Sequence, residues 1–154
     1  MLRKSILAAA LVAVALATAA VAVASGSQHQ AMSKNFARNA DANCAALNAQ
    51  MAPLGNPKSL SGIAHKLSVA IPAFTMALRA QAELVTFDTP SGDATPASKW
   101  MSSMASYLHE MTAVRAGAAA ANAGLVTSAN KKLTAIGAQA ASLSEQLGLQ
   151  VCFQ

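Results

Sequence analysis

The stretch Phe36-Ala-Arg-Asn-Ala40-Asp-Ala-Asn-Cys44-Ala-Ala-Leu47-Asn-Ala-Gln-Met51 decides the fold class. Phe36, Ala40, Cys44, Leu47 and Met51 recur at steps of three and four, which puts all five on one face of an α-helix. Pro53 stops that helix, and Pro53-Leu-Gly-Asn-Pro57 reads as a turn. Beyond it Ser59 is placed to cap a second helix with the apolar stripe Leu60, Ile63, Leu67, Ile71, Phe74, Leu78 and Val85. Pro72 lies inside this stripe, so a kink around residues 68 to 72 is expected rather than an end.

Further along the chain the same pattern repeats twice. Phe87 to Pro96 reads as a loop, and Thr95-Pro96 as the cap and first turn of a third helix. On that helix Trp100, Met104, Tyr107, Leu108, Met111, Arg115 and Ala118 share about a third of the circumference. Gly124 is expected to end it, and Thr127 or Ser128 to cap a fourth, whose stripe is Leu133, Ile136, Ala140, Leu143 and Leu147. Gly148 supplies the terminal left-handed cap, and Leu149 to Gln154 form a tail. Four amphipathic helices with no alternating strand pattern predict an all-α, up-down-up-down four-helix bundle. The first and last helices then lie side by side, and Cys152 folds back onto Cys44.

Composition agrees with this reading. Of 154 residues 39 are Ala; 54% are hydrophobic, 11% charged and 4% aromatic. Disorder, collagen and a multidomain enzyme are excluded, and helices packed closely through small residues are the natural solution.

At the N-terminus, Met1-Leu-Arg-Lys4 carries two positive charges and is followed by an uncharged Ala/Val/Leu run from Ile6 to Ala24. Ala22-Val23-Ala24 is a small-x-small frame followed by polar Ser25-Gly26-Ser27-Gln28, so residues 1–24 read as a signal peptide cut after Ala24. The competing reading is a retained anchor, since 19 apolar residues just reach the ~20 needed to span a bilayer. Residues 25–32 read as a flexible leader and 33–154 as the helical bundle domain. The expected location is secreted or cell-envelope associated, with no stable membrane insertion after cleavage. Two cysteines in an exported chain favour one disulfide, Cys44–Cys152.

Without Arg3 and Lys4 the chain keeps nine basic against six acidic residues. The basic positions are scattered, with no stripe and almost no aromatics between them, so no nucleic-acid partner is expected.

Asn39-Ala-Asp-Ala-Asn-Cys44-Ala-Ala-Leu-Asn48, the Thr89-Pro90 turn running into Trp100, and Leu147-Gly-Leu-Gln-Val-Cys152 resemble a group of small secreted or lipoprotein-like helical proteins from actinobacteria. The resemblance covers nearly all of the chain after the signal. It implies a bacterial helical bundle with the early and terminal cysteines joined, and it carries over no functional residue. This sequence departs from the group in lacking a lipid-attachment Cys at the end of the apolar run.

Candidate chemistry is sparse. Met101, Met104 and Met111 suggest a soft-metal site for Cu(I), but with Met101 at 0° on a helical wheel the others fall at roughly 300° and 280° while His109 falls at roughly 80°. A methionine stripe at helical spacing is more often core packing. His109-Glu110 begins a zinc-protease signature that fails at Ala113, where His is required. Ser128-Ala-Asn-Lys131 matches the Ser-x-x-Lys of serine acylases without its companion motifs, and Ser106 with His109 lacks an orienting carboxylate. Asp88 and Asp93 with Thr89, Ser91 and Thr95 have no regular calcium spacing, and His29 and His65 read as solvated.

No enzyme, metal or cofactor is expected. The leading reading is an exported non-catalytic helical module of the cell envelope or extracellular space. It binds a protein partner or a small apolar ligand, the latter in a groove lined by Phe74, Leu78, Met104 and Met111. The alternative is a copper-handling protein using Met101, Met104 and Met111.

Overall fold

The computed structural model describes residues 34–88 and 94–153. Among them the chain folds as four helices and no strand: α1 (Lys34–Met51), α2 (Leu60–Asp88), α3 (Ala94–Ala119) and α4 (Ala123–Gln146), with a 3₁₀ turn at Ala52–Leu54. The expected signal peptide and leader, residues 1–32, lie outside the described residues, and no described helix is long and apolar enough to cross a membrane.

Several expected boundaries hold. α1 ends at Met51, where Pro53 allows only the 3₁₀ turn. The Ser59 hydroxyl accepts the Gly62 N–H at 3.1 Å and caps α2. α2 then runs unbroken through Pro72, which faces solvent. There the carbonyl deprived of its helical donor, that of exposed Ser68, is open to hydration.

Other boundaries are corrected. The loop expected over Phe87 to Pro96 is partly taken up by helix, since α2 reaches Asp88 and α3 begins at Ala94, before the expected cap at Thr95. α3 ends at Ala119 rather than at Gly124. Its stop is an α-helical C-cap in which Asn122 N–H bonds the Gly117 carbonyl at 2.8 Å and Ala121 N–H the Ala118 carbonyl at 3.1 Å, with Ala121 in the left-handed region at φ 51°. Asn122, not Thr127 or Ser128, caps α4: its side chain accepts the Leu125 N–H at 3.1 Å. The end of α4 uses the same motif with the expected residue, Gly148 at φ 71°, while Leu149 N–H bonds the Ser144 carbonyl at 2.9 Å.

The core has two parts. The larger joins Phe36, Ala40 and Cys44 of α1 to Phe74, Trp100, Met104, Met111, Leu143, Leu147, Leu149 and Cys152. The smaller holds Ile63, Val114, Ala118, Val126 and Ala129, contributed by α2, α3 and α4 alone. Helices pack α1 on α2, α2 on α3 and α3 on α4. The backbones of α1 and α4 seldom come close; Phe36, Ala40 and Cys44 share the larger core with Leu143 and Leu147, and the tail after Gly148 links the two helices. Gly117 permits the closest approach of α3 to α4, since a Cβ there would lie 3.0 Å from the Leu125 Cβ and 3.1 Å from the Val126 nitrogen.

Candidate functional site

The tail is clasped to α1 at two points. Cys44 and Cys152 are bonded, with Cα atoms 5.3 Å apart and 108 residues between them in sequence. Three residues before Cys44, the Asp41 carboxylate accepts the Gln150 N–H at 2.8 and 3.0 Å and the Val151 N–H at 2.8 Å. These are charge-assisted bonds to backbone donors that no helix satisfies. Phe153, at φ 60°, is held in a left-handed conformation that bulky residues seldom adopt; its ring meets Tyr107 edge-on at 5.5 Å, and Tyr107 stacks on Phe74 at 5.6 Å. Burial pushes the Tyr107 phenol above the usual tyrosine range.

Behind the clasp lies a polar group that pattern reasoning missed. Gln81 is fully buried, and its Nε2 donates to the Ala40 carbonyl at 3.0 Å and lies 3.5 Å from the Cys44 sulfur. Its Oε1, the Trp100 Nε1 and the Ser144 Oγ are buried without a partner among the described residues. Each such atom costs about 1–3 kcal/mol when unsatisfied. The sequence signal was a glutamine in register with the apolar stripe of α2, three residues after Leu78 and four before Val85.

The sequence-derived candidates are distributed as follows. Phe74, Leu78, Met104 and Met111 belong to one core region, where Phe74, Met104 and Met111 are buried and Leu78 packs on them. Met101 is half-buried and His109 exposed. Among the described residues no three His, Cys, Asp or Glu side chains converge as a metal site would require. The Ser106 hydroxyl donates to the Ser102 carbonyl at 2.9 Å, an ordinary helical back-bond, and not to His109. Ser128, Lys131 and His65 are exposed. Asp93 and His29 lie outside the described residues.

Two surface depressions are lined by other residues. One, of about 430 Å³, runs between α1 and α2 over Asn39, Ala42, Asn43, Ala80, Glu83 and Leu84. The second, of about 250 Å³, lies between α3 and α4 over Lys99, Ser102, Ser103, Ser106, Ile136 and Gln139. Both are open, with mixed polar and apolar walls. Neither brings a nucleophile, a base and an orienting group together. Compared with protein-family models, with curated proteins and with solved structures, the chain finds no match.

Proposed function

We propose that the chain is an exported, non-catalytic helical module of the cell envelope or extracellular space that binds a protein partner or a small apolar ligand. The observation that carries this reading is the buried Cys44–Cys152 bond closing a chain whose N-terminus has the layout of an export signal. Such bonds persist where thiols are oxidised. In this reading the helices run up-down-up-down. Supporting that order, Lys132 reaches back to Glu110 at 3.3 Å, while Leu125 and Val126 meet Gly117, so α4 advances as α3 recedes. The partner half of the reading is favoured over the ligand half, because the side chains of the expected apolar groove pack on one another, whereas the α1–α2 depression is broad and open.

The test is native mass spectrometry of protein purified from its own culture medium. The expected result is a chain beginning at Ser25, two mass units lighter than its reduced form, with a partner or ligand retained. A full-length chain inside cells with both thiols free overturns the reading. An apolar fluorescent probe divides its two halves: uptake supports the groove, and no uptake leaves the protein partner alone.

A further inference from the structure

We propose that the end of the molecule formed by the α3–α4 turn and the start of α2 docks on an anionic lipid surface, with Leu125 entering the interface and the surrounding cations meeting the headgroups. The cations look scattered in the sequence, but the fold gathers them. Ile63 packs with Val114, Ala118 and Val126, so the first turns of α2 lie level with the α3–α4 turn. That end carries Lys58, Lys66, Arg115, Lys131 and Lys132. Its one described carboxylate, Glu110, is buried and already paired with Lys132 at 3.3 Å. At the opposite end Asp41, Glu83 and Glu145 offset Arg38, Arg79 and Lys99 among the described side chains. The charge of the described helices is thus concentrated at one pole.

The tip of that pole is apolar. Residues 119–125, Ala-Ala-Ala-Asn-Ala-Gly-Leu, are all exposed and contain no charge, and Leu125 is 55% exposed. Arg115 lies four residues before the end of α3 and Lys131 eight residues after the start of α4, about 6 and 12 Å along their helices, distances comparable with the Debye length (~10 Å). Lys66 donates to the Gly55 carbonyl at 2.6 Å and holds the segment bearing Lys58 against the same end. A small uncharged tip bearing Leu125, with cations on the helices behind it, matches a bilayer interface, where apolar groups enter and lysines stay at headgroup depth. A nucleic acid is the poorer fit, because Trp100, Tyr107, Phe36, Phe74 and Phe153 lie in the other core and no aromatic among the described side chains is at this end for stacking.

Co-sedimentation of the full chain with vesicles tests this, comparing equal parts phosphatidylglycerol and phosphatidylcholine with phosphatidylcholine alone. The readout is the loss of anionic preference in the variants relative to the wild type, since the N-terminal segment with Arg3 and Lys4 is the same in all of them. The wild type is expected to prefer the anionic vesicles and to lose that preference as salt is raised. Each cation near such a surface contributes roughly fivefold, so the combined variant Lys58→Gln, Arg115→Gln, Lys131→Gln should partition about a hundredfold more weakly. These three side chains are exposed, and a thermal melt confirms that the variant folds. If it does not fold, the single variant Lys131→Gln, expected to partition about fivefold more weakly than the wild type, carries the test. Leu125→Ser should weaken binding several-fold. Equal partitioning to both vesicles, or an unaffected triple variant, overturns the proposal. So does a short DNA duplex displacing the wild type while Leu125→Ser binds vesicles as before, because the pole is then a general polyanion site.

Discussion

The two ends of the molecule are held by different means. At one end α1 is stapled and capped onto the tail, around Trp100, Phe36 and a buried glutamine. At the other, three helices meet through Ile63, Val114, Val126 and small residues, with no cross-link and with Gly117 allowing the closest contact. The first end adds covalent and polar fastenings to its apolar core, since the backbones of α1 and α4 seldom come close. The second depends on shape. We infer that α2, α3 and α4, which share a core that α1 does not enter, form a self-supporting unit, and that α1 is held to it by packing on α2, by Gln81 and by the tail.

The largest effect should come from the staple. Replacing both Cys44 and Cys152 by Ala releases a loop spanning 108 residues, for which chain entropy gives about 4–5 kcal/mol. Chemical denaturation of wild type and double variant should differ by most of that amount; a loss below about 1 kcal/mol would mean that packing alone holds the tail. Next is Asp41→Ala, which leaves the Gln150 and Val151 N–H groups without their carboxylate and should cost about 2 kcal/mol in the same assay.

At the other end, glycine and alanine should trade places with opposite signs. Gly117→Ala gains about 1 kcal/mol of helix propensity but forces a methyl to 3.1 Å from the Val126 backbone, and overpacking costs about 1–3 kcal/mol, so a net destabilisation of about 1 kcal/mol is expected. Ala121→Gly relieves a left-handed alanine and should stabilise by about 1 kcal/mol. Melting temperatures that move the same way in both variants would break the account of this end.

The smallest effect is at Tyr107, the one tyrosine of the chain, whose ionisation is therefore read directly in the ultraviolet. Its midpoint should lie above the ordinary value near 10. Because the folded form resists ionisation and the unfolded form does not, this contribution is fully present below about pH 10 and is lost as pH rises through the folded midpoint. A midpoint at or below 10 would mean that the Phe74–Tyr107–Phe153 stack is open.

The same contrast explains what was legible in advance. Helix count, the Ser59 cap and the Gly148 stop follow local rules that the residues obey, and two cysteines allow a single pairing. The end of α3 was misplaced because the left-handed cap position holds Ala121 where glycine is the usual signal, and the next glycine, Gly124, lies inside α4. Asn122 was passed over as a cap for the same reason. Gln81 stood in register with the apolar stripe of α2, but its partner, the Ala40 carbonyl, and the clustering of cations at one pole depend on which faces meet across the bundle, information absent from any single helix.

Amide hydrogen exchange with and without a reductant able to open the buried bond tests the division most directly. On reduction, amides of α1 and residues 149–153 should lose protection, while those of α2, α3 and α4 around Ile63, Val114 and Ala129 stay slow. Protection lost evenly along all four helices, or lost first around Val114, would contradict the claim that α1 is fastened to a self-supporting three-helix unit.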